Sequence, residues 1–325
     1  MTSDTSNAGS QGKVESREKV MSKLEMSFDE KDRYQHALRA LEGLSVGDAF
    51  GEGFFTGAEV VEAMLTTRTL PDPIWRYTDD TMMTLSVMSV LREFGAIEQN
   101  SLATSFAQHY EYERGCGPSM HRLLAAIREG VAWQEVAAAQ FAGQGSFGNG
   151  AAMRAAPIGA YFADNLEKVV EQTTLASVVT HTHPEAVAGA IAVAVAAALA
   201  LGYNSENRTA TGEDFLEAIV VYVPESQVKS RLVRARGMLD ASTEFTVTVL
   251  GNGIQLSAQD TVPFALWCAG KNLYNYEEAL WLAVSGLGDR DTICAIVGGV
   301  VALSAGVESI PATWKIAGEL LPDWT

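Results

Sequence analysis

Residues 184–202, Pro-Glu-Ala-Val-Ala-Gly-Ala-Ile-Ala-Val-Ala-Val-Ala-Ala-Ala-Leu-Ala-Leu-Gly, are the stretch whose reading decides the fold. From Ala186 to Leu201 no side chain is charged or polar. Ala is the strongest helix former, and Pro184 at a first turn followed by Glu185 is a helix start. Gly202 is a natural stop. A bilayer needs about 20 strongly apolar residues, and this run is shorter and built largely of weakly anchoring Ala. A helix apolar on every side is instead the centre of a soluble core, wrapped by other elements.

The segments on either side carry helical rather than strand periodicity. Helices are expected near 31–46, 81–94, 101–111, 119–130, 151–163, 166–179, 184–201, 213–222, 226–240, 261–271, 276–285, 292–306 and 312–320. The Gly, Pro and Asn residues collect between them, at Thr69–Arg76, Arg114–Pro118, Gly143–Gly150 and Gly251–Gly253. Phe245–Leu250 is β-branched and reads as a short strand or extended loop. Residues 1–30, rich in Ser, Asn, Glu and Lys, read as a disordered tail. Residues 31–325 then form one compact all-α domain.

A net charge of −17 and a pI near 4.7 argue against nucleic acid and against an anionic membrane surface as partners. The three cysteines, Cys116, Cys268 and Cys294, form neither a zinc pattern nor a disulfide framework, which points to a reducing cytoplasm.

Five stretches carry chemistry. Thr78-Asp79-Asp80-Thr81 and Gly288-Asp289-Arg290-Asp291-Thr292 each place carboxylates and Thr hydroxyls just before an apolar helical run. Asp or Thr before a helix is an ordinary cap. Four carboxylates in two such clusters exceed what capping requires, and hard divalent cations such as Mg²⁺ and Mn²⁺ take oxygen ligands. Gly143-Gln-Gly-Ser-Phe-Gly-Asn-Gly150 offers backbone N–H groups at a helix start, suited to phosphate, although a plain connecting turn has the same composition. In Thr180-His-Thr-His-Pro184 the histidines read as hydrogen-bonding contacts to a ligand rather than as zinc ligands. In Gly43–Glu52, Gly47 and Gly51 permit close helix packing, Asp48 reads as a structural carboxylate, and Glu52 can face the same pocket.

Together these segments resemble the ADP-ribosylglycohydrolase family, which includes the dinitrogenase-reductase-activating glycohydrolases. The matching stretches are GLSVGDAFGE (43–52), YTDDTMMTLSV (77–87), GQGSFGNGAAMRAAPIGAY (143–161), THTHPEAVAGAIAV (180–193) and GLGDRDTICAIVGG (286–299), in the family's order. The resemblance implies a compact, orthogonal multi-helix bundle with a cleft holding two divalent ions, Mg²⁺ or Mn²⁺. Thr78, Asp79, Asp80, Asp289, Asp291 and Thr292 match its metal ligands. Gly145, Ser146, Gly148 and Asn149 match the loop that holds the ADP-ribose diphosphate. Phe147 matches an aromatic near the distal ribose, and His181 a ligand-contacting histidine.

Many relatives carry a catalytic glutamate shortly after the Gly-Asp-Ala segment. Ungapped counting puts Phe55 there, with Glu52 three residues earlier. Asp79, Asp80 and Glu52 are thus the candidate acids and bases. The implied activity is removal of mono-ADP-ribose from a modified protein, with arginine as the expected acceptor. The alternatives are an O-linked (serine-type or O-acyl) conjugate, or a non-catalytic ADP-ribose-binding relative.

Overall fold

The computed structural model describes residues 27–205 and 209–324, so residues 1–26 of the expected tail lie outside the described residues. Among the described residues there are sixteen α-helices and no β-strand. The first half holds α1 (Glu30–Glu52), α2 (Ala58–Thr67), α3 (Asp79–Phe94), α4 (Gln99–Gln108), α5 (Pro118–Arg128), α6 (Trp133–Gly143), α7 (Ala156–Tyr161) and α8 (Leu166–Val178). The second holds α9 (Pro184–Ser205), α10 (Gly212–Tyr222), α11 (Gln227–Arg236), α12 (Thr243–Leu250), α13 (Ala258–Lys271), α14 (Tyr276–Val284), α15 (Arg290–Ala305) and α16 (Ala312–Ala317).

Helix α9 is the Ala-rich stretch, and 94% of its apolar window is buried by protein. It packs against α7, α8, α13 and α15, which enclose it as a core helix. Helix α7 approaches it without an intervening side chain, because a Cβ on Gly159 would stand 1.9 Å from the Ala194 carbonyl oxygen.

The largest helix–helix contact joins α1 to α15, from opposite ends of the chain. Small residues set that contact. A Cβ on Gly43 would meet the Gly298 oxygen at 2.4 Å, one on Gly47 the Cys294 oxygen at 2.2 Å, and one on Gly51 the Arg290 oxygen at 2.3 Å. Four-residue steps on both helices therefore interlock as antiparallel ridges with backbone against backbone. The expected close packing at Gly47 and Gly51 is this seam. Since α3 also lies on α1, the seam brings the N-termini of α3 and α15 to one place.

Three expectations are corrected. Phe245–Leu250 is helical: Ser242 caps α12 by accepting from Phe245 N at 3.4 Å, and α12 packs on α13, so tertiary contact overrides the β-branched preference. The helix expected over 151–163 is broken into a 3-10 turn at Asn149–Ala151 and α7. Helices α2 and α6 lie outside the expected set; each is short and mostly exposed, and α6 loses helical backbone geometry over Gln140–Ala142.

Candidate active site

Thr78 ends an extended segment and caps α3, its hydroxyl accepting from Asp80 N at 3.3 Å. Asp48, fully buried on α1, accepts from Thr78 N and from Thr81 N, each at 3.0 Å, and from both Thr hydroxyls. An anion at a helix N-terminus is stabilised by the unpaired N–H groups there. Asp48 is therefore the bracket that seats the first acidic cluster, in line with its structural reading.

The Thr78 hydroxyl lies 2.8 Å from Asp48 Oδ1 and 3.1 Å from Asp80 Oδ2, so its one proton serves either carboxylate. The second cluster reaches the same place. The Thr292 hydroxyl donates to Asp80 Oδ2 at 3.3 Å across 212 positions of sequence. Asp289 accepts from the Asn149 amide, which also donates to the Thr261 hydroxyl at 3.0 Å.

Asp79, Asp80, Asp289, Asp291 and Thr292 line one end of a cleft of about 460 Å³. Its other walls include Gly115, Gly117–Met120 and Arg122, the Ser146–Gly150 loop, His181, and Gln255–Leu256. Glu52 is not on the wall: it ends α1 behind the cluster, close enough to Asp291 for their charges to oppose each other.

Burial is the first cause of the raised pKa values here. It pushes Asp48, Asp79 and Glu52 each up to about 7, with the Asp291 charge adding to the rise. Asp80 and Asp289 are raised well above the ordinary carboxylate range, again by burial first and then by their acidic neighbours. Asp80 Oδ1 and Asp291 Oδ1 are buried and have no hydrogen-bond partner among the described residues. Orphaned carboxylate oxygens in a crowd of like charge are what a hard cation neutralises. As the side chains stand, no three His, Cys, Asp or Glu residues among those described enclose an ion. The donor chemistry nonetheless fits one, because Thr78 and Thr292 add hydroxyls and such ions keep several waters.

The Gly-rich loop is strapped on two sides. His183 N donates to Ser146 O at 3.3 Å on one side; Asn149 N donates to Leu256 O at 3.2 Å and Ala258 N to Phe147 O at 3.0 Å on the other. Gly145 sits at φ +76 with Thr182 pressed against it, so only glycine serves at that corner. Ser146 is buried and its hydroxyl accepts from Gly148 N at 3.2 Å, whereas Phe147 is half-buried, with its ring 5.4 Å from Phe141. Asn149 departs from a simple phosphate contact: its side chain ties the loop to Asp289.

His181 is buried under Gly148 and Gly150, and burial followed by the nearby Arg154 charge pushes its pKa down to about 3. It is a neutral imidazole whose Nδ1 lies 2.7 Å from the Thr180 hydroxyl.

Two neighbours escaped the sequence reading. Arg154, buried in the core, donates to the Thr180 hydroxyl at 2.7 Å and to Gly150 O, which fixes the loop and the histidine together. A single Arg inside the apolar run Ala-Ala-Met-Arg-Ala-Ala-Pro was its signal. The buried Cys116 thiol donates to Asp79, and nothing local in the sequence marks that.

An all-helical frame with an acidic pocket at two converging helix starts and a glycine loop opposite defines a class. A family model described as ADP-ribosylglycohydrolase matches residues 29–322, and the chain belongs to that family. Among known proteins it is similar to ADP-ribosylhydrolase ARH3 of Danio rerio, 28% identical over 335 residues, 86% of this chain and 85% of the relative. The Mus musculus ARH3 is 30% identical over 270 residues, 74% of this chain and 72% of that one. ADP-ribosylarginine hydrolase Tri1 of Pseudomonas putida is 23% identical over 287 residues, 85% of this chain and 72% of its own. The solved structure of an ADP-ribosylglycohydrolase-related protein complex superposes with a TM-score of 0.58 at 25% identity, covering 89% of this chain and 94% of that one.

Proposed function

We propose that this chain removes mono-ADP-ribose from a modified acceptor, with two divalent ions, Mg²⁺ or Mn²⁺, held at the acidic end of the cleft. The observation that carries the reading is the orphaned pair of buried oxygens on Asp80 and Asp291, at the end of a cleft that the Ser146–Gly150 loop also lines. Thr78, Asp79, Asp80, Asp289, Asp291 and Thr292 are the residues that would hold the ions. When bound, such ions act as Lewis acids and lower the pKa of water.

The reaction breaks the C1″–acceptor bond of the distal ribose; water supplies the hydroxyl to C1″ and a proton leaves with the acceptor. That exchange needs a group to take one proton and give one back. Asp79, Asp80 and Glu52 are the candidates; the values near 7 for Asp79 and Glu52 belong to the metal-free cluster, and bound ions would lower them. Of these, Asp79 and Asp80 face the cleft. The N–H groups of Gly145, Gly148 and Asn149 are engaged by Gln140 O, the Ser146 hydroxyl and Leu256 O, so those of Ser146 and Phe147 are the ones that would orient the diphosphate, and neutral His181 supports that loop from below.

For the acceptor, arginine is the first reading, and the Pseudomonas relative is named for that substrate. A second reading, an O-linked serine-type or O-acyl conjugate, is favoured by Arg122, the one Arg or Lys on the cleft wall among the described residues, which repels a guanidinium but not a neutral acceptor. The test is turnover of ADP-ribosylarginine, ADP-ribosylserine and O-acetyl-ADP-ribose by the full chain with Mg²⁺, Mn²⁺ or EDTA. Metal-dependent release of ADP-ribose from one of them is expected. ADP-ribose binding without any turnover would make the chain a binding module instead.

A further inference from the structure

The cleft has two lips that belong to different parts of the chain, and a third segment joins them. One lip is Tyr77–Asp80 and the other is Arg114–Pro118. The joining segment is the stretch after α16. Trp75 N donates to Ala317 O at 2.7 Å and Glu319 N donates to Trp75 O at 3.0 Å, so Gly318 and Glu319 run beside residues 75–77. There the Glu319 carboxylate accepts from Tyr77 N at 2.9 Å and from the Arg114 guanidinium. Arg114 in turn donates to Tyr77 O at 2.9 Å, and its guanidinium carbon lies 3.8 Å from the centre of the Tyr77 ring. Both backbone polar groups of Tyr77 are thus held by one ion pair.

The placement of this clamp matters. The residue after Tyr77 is Thr78, which caps α3 and opens the first acidic cluster. The residue after Arg114 is Gly115, where an added Cβ would stand 3.7 Å from Asp79 Oδ1, and Cys116 follows with its thiol on the same carboxylate. One residue beyond the clamp, on each strand of chain, lies the chemistry.

We propose that Glu319 is a positioning residue of the acidic cleft: through Arg114 and the Tyr77 peptide it fixes the register of the two lips that meet at Asp79. It touches no reacting group. The geometry stands whatever the substrate, whereas its effect on turnover rests on the hydrolase reading above. The core seam between α1 and α15 does not pass through it, so removing the clamp shifts the lips without unfolding the domain.

The experiment compares the full chain with its Glu319→Ala, Glu319→Gln and Arg114→Ala variants by amide hydrogen exchange, thermal melting and, where a conjugate is turned over, steady-state kinetics. In Glu319→Ala, amides of 77–81 and 115–117 should exchange faster by about ten-fold or more, with the core helices unchanged. Turnover should fall through kcat rather than KM, by up to about a hundred-fold for a displacement near 1 Å. Glu319→Gln keeps an acceptor for Tyr77 N and should recover most of both. Faster exchange confined to 317–320, or none, would overturn the proposal. So would exchange that spreads through α9 and α15, which would make Glu319 a plain stability residue. If the parent turns over no conjugate, the hydrolase reading fails while the exchange pattern still decides the clamp.

Discussion

Replacing Gly47 by Ala tests whether the α1–α15 seam sets the site. In an open helix the change is favourable by about 1 kcal/mol, because Ala is the better helix former. At this position the new Cβ would stand 2.2 Å from the Cys294 carbonyl oxygen and 2.9 Å from its carbon, and neither is a side chain that can swing away. Reaching ordinary contact near 3.4 Å requires the helices to part by 1.2 Å, the difference of the two distances. Overpacking costs about 1–3 kcal/mol, and a rigid backbone obstacle belongs at the upper end. The net expectation is a loss of roughly 2 kcal/mol.

The same parting acts on the site. It stretches the 3.3 Å contact between Thr292 and Asp80 beyond hydrogen-bond reach and separates the two acidic clusters. Urea unfolding followed by circular dichroism gives the stability, and thermal melting with and without Mg²⁺ reports the site. Gly237→Ala is the control: the nearest atom would be 3.7 Å away, and the expected change is within about 1 kcal/mol. A Gly47→Ala protein as stable as the parent, with an unchanged response to Mg²⁺, would refute the reasoning.

Three further outcomes are expected. Asp291→Asn should stay folded, because it relieves carboxylate crowding, yet lose nearly all hydrolysis and most of the rise in melting temperature that Mg²⁺ gives the parent; equal turnover and an equal rise would remove Asp291 from the mechanism. The raised carboxyls also set a pH dependence. Asp48 and Asp79 titrate near 7 in the folded chain and near 3.8 once unfolding exposes them to water, so the folded chain holds more protons between those values. Their contribution is fully present below the lower value and is lost as pH rises through the upper one. Mg²⁺ binds the ionised form, so its stabilisation should be larger at pH 8 than at pH 5, and an equal melting shift at both would count against the site. Asn149→Ala frees Asp289 and loosens the loop, and calorimetry should show weaker ADP-ribose binding by a folded protein; unchanged affinity would reduce Asn149 to a connector.

How much of this was legible in the chain follows from the range of each interaction. The burial of Ala186–Leu201 was readable because sixteen apolar residues in a row state their own environment. The helix start at Pro184 was readable for the same local reason, whereas α3 starts at Asp79 with Thr78 as its cap, ahead of the start near Thr81 that the sequence suggests. That Gly47 and Gly51 seek a close partner was visible, but which partner was not: Gly47 meets Cys294, and no periodicity encodes a contact of that separation. Asn149 shows the cost. Its loop suggested a phosphate contact, while its amide is engaged by Asp289 from 140 positions away. Glu319 had no motif at all, since a lone glutamate near the end of the chain gains its meaning only from Arg114 and Tyr77. The helix over Phe245–Leu250 was hidden differently: the local preference was real and the packing on α13 outweighed it.

The seam between α1 and α15 also has a consequence in time. Helix α1 ends at Glu52 and its partner begins at Arg290, so residues 53–289 must be synthesised before the two can meet. At about 5–20 residues per second, a nascent α1 waits roughly 10–50 seconds for the helix that covers its glycine face. During that interval the ribosome-bound chain carries Asp48 and the Thr78–Asp80 cluster but not the second set of carboxylates. Products that stop before Arg290 would have no second acidic cluster and an uncovered glycine face on α1. Until Arg290–Ala305 is made, that face stays open to water and to other chains, the kind of surface that chaperones shield.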